Sequence, residues 1–291
     1  MYRTGMSKTI SVCRWSRNRH VCTEALSTQT TSYLRNNENG AEIYLVGTAH
    51  VSKESAAEVR DVIGLVKPNV VMVELCPGRA ARLRSSQPTS ELDIFRRLLA
   101  SIFKPGSNIS AELLKFSFQG FYGVLRNLGL EVGIELKAAL EAAEEQNARI
   151  IYGDRNVQET LSRLASTIKI EDIIKMMTGN GPAVPKSLIN AFDFAMSDRQ
   201  RNNNKENFER HVETMKTRDM ANKMTSYLRQ INPALAAVLI DERDEIMVQS
   251  LRNLKGRIVG VVGLAHLDGI ERRWNALQRI GRIGVTNATR S

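Results

Sequence analysis

A chain of 291 residues with 42% hydrophobic and 25% charged residues has enough apolar content for a substantial core, which excludes a largely disordered protein. The net charge of +10 sits mostly at the ends: residues 1–35 hold six Lys/Arg and one Glu, residues 271–291 five Arg and one Glu, leaving +1 between them. With aromatics at only 5%, that distribution argues against a surface that tracks nucleic-acid phosphates. The longest apolar run, residues 258–265, is far short of the roughly 20 residues of a membrane-spanning helix, so membrane contact is expected to be peripheral if it occurs.

The N-terminal stretch carries Arg3, Lys8, Arg14, Arg17 and Arg19 among several Ser and Thr, with no acid before Glu24. That is the composition of a mitochondrial transit peptide, the plainer alternative being a disordered basic tail on a cytoplasmic protein. Cys13, Cys22 and Cys76 match neither a zinc knuckle nor a disulfide framework. Residues 28–41 are polar and turn-rich, so the ordered domain is expected over 41–280, after a disordered segment 1–40 and before a basic tail 281–291.

Residues 42–47 (EIYLVG) read as a buried strand, and 52–66 as a helix with Ala56, Val59, Val62, Ile63 and Val66 on one face, stopped by Pro68 and Asn69. Further strands are expected at 70–75 (VVMVEL), 129–135 (GLEVGIE), 149–153 (RIIYG) and 257–263 (RIVGVVG), with a helix over 136–147. Strands apolar on both faces and separated by helices imply an α/β fold with a mainly parallel central sheet flanked by helices. The long stretch 157–255 has no strand signal and reads as a helical subdomain inserted before the last strand, folded over the sheet edge. Its most polar part, 198–210 (DRQRNNNKENFER), reads as an exposed loop or a solvated helix.

In such a sheet, functional groups gather beyond the carboxyl ends of the strands. The first strand ends Gly47-Thr48-Ala49-His50 and the last ends Gly263-Leu264-Ala265-His266, so two of only four histidines close matching Gly-x-x-His segments. Glu74 ends an otherwise apolar strand, where a carboxylate must be paired with a cation such as Arg79 or Arg155, or be bound to a metal. Two neutral histidines and a carboxylate are a common ligand set for a hydrolytic divalent metal ion, which lowers the pKa of a bound water. After the fourth strand, Asp154 reads as a helix cap and Arg155 as a clamp for a carboxylate or carbonyl oxygen. The run 241–244 (DERD) reads as a solvated helix face. Walker-type, dinucleotide-type and nucleophile-elbow glycine motifs are absent.

The segments GTAHVSKES (47–55), VVMVELCPGR (70–79), IYGDR (151–155), DERDEIM (241–247) and VVGLAHLDGI (261–270), in that order, resemble the TraB/PrgY family. More distantly the chain is similar to the Tiki peptidases and to erythromycin-esterase-like proteins. The resemblance implies a hydrolytic site, metal-dependent in the Tiki case, with His50, Glu74 and His266 as catalytic and metal-binding residues. It implies Arg79 as a substrate clamp and Glu135, Arg155 and Arg243 as further residues lining the cleft. Many eukaryotic relatives carry C-terminal membrane-spanning helices, and no apolar span follows His266 here. Two functional readings result: a metal-dependent hydrolase acting on peptides, or a non-catalytic mitochondrial protein that binds a partner or tethers membranes on the same fold.

Overall fold

The computed structural model describes residues 29–48, 53–85, 133–167, 171, 180–189 and 216–288. Strands β2 (Glu42–Thr48), β3 (Val70–Val73), β4 (Arg149–Tyr152) and β5 (Arg257–Gly263) form where the sequence places apolar runs, and they lie parallel. An edge strand β1 (Thr31–Arg35) pairs antiparallel with β2, and the sheet order is β1-β2-β5-β3-β4. The last strand therefore inserts between β2 and β3. This brings together three strand ends that the sequence separates by almost the whole chain.

The two faces of the sheet are covered by different helices. Tyr44, Val46, Val71, Val73, Val259 and Val261 point to one face, where they meet Val59, Val62, Ile63 and Val66 of α1 (Lys53–Val66) and Leu136, Ala139, Leu140 and Ala143 of α3 (Ile134–Glu145). Ile43, Leu45, Val70, Met72, Ile258 and Val262 point to the other, against α5 (Arg218–Ile231), α7 (Glu242–Arg252) and α8 (Leu264–Ala288). The alternation of neighbours between the two clusters is the period-two geometry of a strand, and burial on both faces explains why these strands are apolar throughout.

Local signals set the element ends. The α1 helix closes at Lys67, whose φ of 47° and amide bond to Ile63 O (2.9 Å) form a left-handed cap just before Pro68. The short α2 (Pro77–Arg84) starts with proline in its first turn, and Thr217 caps α5 by accepting from the Met220 amide at 3.2 Å. The chain from α6 (Pro233–Ala236) to the end of α7 is one continuous helical run, interrupted by a π-helical turn at Ala237–Asp241.

Four expectations change. The polar lead-in does not end at residue 41, because Thr31–Arg35 already pairs with β2 and buries Thr31, Ser32 and Leu34. The expected strand 129–135 is not one at its described end: Ile134 and Glu135 open α3 behind Gly133, while 129–132 lie outside the described residues. The stretch 157–255 is helical in α4 (Val157–Thr167) and in α5 to α7, but its last part forms a layer on the sheet face instead of a cover over the edge. Residues 281–288, read as part of a basic tail, continue α8. The N-terminal basic segment, the stretch 90–128, the polar run 198–210 and His50 lie outside the described residues.

Candidate functional site

The carboxyl ends of β2, β5 and β3 lie side by side, with Thr48 registered against Gly263 and Val73 against Val261. Gly47 has a specific reason to lack a side chain. A β-carbon there would come within 2.7 Å of Leu264 Cδ1 and 3.2 Å of Leu264 Cα, so glycine lets the end of β2 press against the first turn of α8. The two Gly-x-x-His segments thus start on neighbouring strands.

Glu74 follows β3 and keeps the ladder going for one more bond, its amide donating to Val261 O at 3.0 Å. Its side chain then turns across β5. The Gly263 amide donates to Glu74 Oε2 at 2.5 Å, and Arg243 Nη2 donates to Glu74 Oε1. Arg243 also makes a forked pair with Asp154, from Nε to Oδ1 and from Nη2 to Oδ2, each 2.9 Å, and donates from Nη1 to Leu239 O at 3.2 Å. Arg79 approaches Asp154 Oδ2 and the Glu74 carbonyl at 3.4 Å each.

His266 lies in the first turn of α8 with no solvent exposure. Its Nδ1 is 2.7 Å from Asp244 Oδ1, and its Nε2 is 3.4 Å from Glu74 Oε1 without a hydrogen-bond partner. Asp244 is held on its other oxygen by Arg273 Nη1 at 2.9 Å. From there a chain of ion pairs runs outward through Asp241 to Arg229, which is well exposed.

Burial disfavours a charged imidazole, but the adjacent Glu74 carboxylate and the bond to Asp244 outweigh both burial and the repulsion of Arg243, pushing His266 up to about 9. At neutral pH it is an imidazolium. Burial likewise works against the Arg243 charge, yet Asp154 and Glu74 raise its pKa above the ordinary arginine value. Burial pushes Asp244 up as well, opposed by His266 and Arg273.

The predicted site residues divide into two groups. Glu74, Arg79, Arg243 and His266 converge on one buried cluster, Arg243 being the partner of Glu74 in place of the Arg79 or Arg155 expected from the sequence. Arg155 does not: Nε donates to Thr160 Oγ1 (3.1 Å), Nη2 to Val238 O (2.9 Å) and Nη1 to Glu242, which occupies the whole guanidinium with the helix wall. Asp154, read as a cap, sits in the cluster instead. Glu135 is buried in the first turn of α3.

The run 241–244 is no solvated face, since Arg243 and Asp244 are 1% and 0% exposed. Asp244 was legible in principle, because it shares the apolar stripe of Met247, Val248 and Leu251 at helical spacing, and a carboxylate there needs a partner.

The arrangement bears on a metal ion. Among the described residues no group of three His, Cys, Asp or Glu side chains is placed to hold one. Both Glu74 oxygens are engaged, one of them by a guanidinium, and His266 Nδ1 is held by Asp244. As these side chains stand, Glu74 is taken up by Arg243 and Gly263, and His50, the third residue of the expected ligand set, lies outside the described residues.

Comparison with known proteins agrees with the motif pattern. The chain is 29% identical over 248 residues to an uncharacterized protein of Methanocaldococcus jannaschii, covering 84% of this chain and 56% of that one. It is 26% identical over 265 residues to the human TraB domain-containing protein and 25% over 260 residues to the mouse one, covering 82% of this chain and 64% of each relative. The chain thus spans less than two thirds of the length of these relatives. The model of the TraB/PrgY/gumN family matches residues 34–283, from β1 into the last turns of α8, and the chain belongs to that family.

Proposed function

We propose that this chain is a hydrolase of acyl compounds, with peptides as the first substrate class to test, working at the joined ends of β2, β5 and β3. The observation that supports this is His266: one ring nitrogen fixed by a carboxylate, the other buried and facing Glu74 Oε1 at 3.4 Å, with its pKa raised to about 9. An Asp-oriented imidazole whose Nε2 makes only a long contact to Glu74 is suited to proton transfer.

In this reading a water molecule attacks the scissile carbonyl and gives its proton to His50. The C–N bond breaks as His266 Nε2 delivers its proton to the leaving nitrogen, and the acid and amine depart. Glu74 holds the imidazolium charged, and Arg243 holds Glu74 and Asp154 in place. No step runs through a metal ion. The cluster is closed, with Glu74, Arg79, Arg243, Asp244 and His266 at most 1% exposed, so substrate entry requires an opening step before chemistry.

That closure favours a second reading, in which the charges only hold the platform of a binding protein together. Turnover of a quenched-fluorescence peptide mixture and of a nitrophenyl ester separates the two. The hydrolase reading expects turnover that falls at least a hundredfold in both His50→Ala and His266→Gln. Folded wild type with no turnover, or with turnover indifferent to both substitutions, sinks it.

A further inference from the structure

Arg155 follows β4 and would serve naturally as a substrate clamp, yet its contacts lead elsewhere. In an α-helix the Glu242 amide donates to Val238 O, four residues back. Here it donates to Ala237 O, five back, which defines the π-helical turn Ala237–Asp241. Val238 O is met by Arg155 Nη2 at 2.9 Å. The neighbouring carbonyl, Leu239 O, accepts from Arg243 Nη1 at 3.2 Å. Arg155 is itself fixed by Thr160 Oγ1 and by Glu242, the residue immediately after the turn.

A π-turn inserts one residue into the α-helical register, which rotates the rest of the helix by about 100° relative to an uninterrupted one. Just beyond the turn stand Arg243, on Glu74 and Asp154, and Asp244, on His266. We infer that Arg155 is a positioning residue: by bonding Val238 O and Glu242 it holds the π-turn whose register delivers Arg243 to Glu74 and Asp244 to His266 Nδ1. It touches no member of the Glu74–His266 pair and acts on it through the helix.

The consequence for catalysis rests on the hydrolase reading, but the structural claim does not. The test is therefore nitrogen-15 NMR of the imidazole of His266, assigned by loss of its signals in His266→Gln, across a pH titration. Arg155→Met is expected to move the His266 midpoint down by at least one pH unit, because Asp244 and Glu74 no longer meet the ring together. Arg155→Lys, which still offers a donor to Val238 O, is expected to recover part of that shift. Arg163→Ala removes an exposed partner of Glu242 while leaving the π-turn bonds, and is expected to leave the midpoint unchanged.

If Arg155→Met does not fold, Thr160→Val removes the anchor of Nε together with the hydroxyl's bond to Asn156 O, and a smaller shift in the same direction is expected. An unchanged His266 midpoint in Arg155→Met or, failing that, in Thr160→Val overturns the inference, whatever happens to the melting temperature. Where turnover exists, positioning predicts a kcat loss of tenfold or more with KM within about twofold, and a raised KM alone returns Arg155 to substrate binding. If no protein variant turns anything over, the titration still decides.

Discussion

Gly269 faces Asp244 so closely that a β-carbon built on it would lie 1.9 Å from Asp244 Oδ2 and 2.8 Å from Asp244 Cγ. The glycine therefore does for α7 and α8 what Gly47 does for β2 and α8: it removes a side chain so that two segments carrying site residues can touch. Asp244 reaches His266 Nδ1 on one oxygen and Arg273 on the other because the surface of α8 is bare at this point.

Gly269→Ala is therefore expected to destabilise the protein even though alanine is favoured over glycine inside a helix by about 1 kcal/mol. Asp244 must shift or α7 must retreat, and overpacking of this kind costs about 1–3 kcal/mol. Thermal denaturation of the variant should show a clear drop in melting temperature. A rise would mean that helix propensity governs and that the contact with Asp244 is slack.

The alkaline limb of stability should belong to His266. Its folded pKa of about 9 lies above the ordinary 6.5, so its contribution is complete below about pH 6.5 and is lost as pH rises through about 9. Arg243, Glu74 and Asp244 all face the ring and set that value. On the acid side Asp241 has the opposite sign. The hydrogen bond from Arg229 outweighs burial and lowers Asp241 to about 2, so its contribution is present above about pH 3.8 and disappears toward pH 2. Asp244, raised by burial, works against Asp241 there, which leaves the alkaline limb the cleaner one to read. Melting temperature between pH 6.5 and 10 should fall in wild type and flatten in His266→Gln. Parallel curves for the two proteins would remove His266 as the titrating group.

Much of the sheet was legible because a strand buried on both faces has to be apolar, as 43–47, 70–73 and 258–263 are, and the half-buried edge strand β4 still carries the apolar run Ile150-Ile151-Tyr152. β1 was not, because its sequence, TSYLR, lacks an apolar run and reads as polar chain. The site was legible where glycine and histidine mark strand ends. It was harder to read where a charged helix is buried: within DERD nothing separates a solvated face from one pressed against His266, the stripe of Met247, Val248 and Leu251 beyond it is the signal for Asp244, and the π-turn that sets the register leaves no composition signal. Which of Arg79, Arg155 and Arg243 pairs with Glu74 depends on the strand order, and strand order is a property of the whole chain.

Glu74 offers a direct comparison of charge with shape. Glu74→Gln keeps an acceptor for the Gly263 amide but leaves Arg243 and His266 short of one negative charge in a site closed to water. Removing one partner of a buried pair costs about 3–5 kcal/mol, so a large loss is expected for this near-isosteric change. The second expected effect is a downward movement of the His266 titration, since the Glu74 carboxylate is the chief influence raising it. Stability within about 0.5 kcal/mol of wild type would place Glu74 outside the ion network.

Metal removal is expected to do little, because both Glu74 oxygens are already used and Arg243 supplies a cation at the place where an ion would need a carboxylate. Dialysis against a strong chelator should leave the melting temperature unchanged, and atomic emission should find no stoichiometric zinc, manganese or cobalt. One equivalent of metal, with melting lowered on its removal, would require Glu74 to let go of Arg243.

Lys216 sits at a junction of three segments. Its ammonium is buried against Ser55 Oγ at 2.6 Å and Glu58 Oε2 at 2.7 Å, while Glu58 Oε1 accepts from Thr30 at 2.5 Å. The residues leading into β1, the α1 helix after the first Gly-x-x-His segment and the entry to α5 are joined there. Glu58 is 23% exposed and Lys216 only 3%, so the two partners are not equivalent. Glu58→Gln removes one charged partner of a buried ammonium, and Lys216→Met removes the ammonium itself. The double substitution should cost less than the sum of the two single losses, because each single change removes the same Lys216–Glu58 contact. Chemical denaturation of the three variants measures the coupling, and strictly additive losses would show that Lys216 and Glu58 contribute independently.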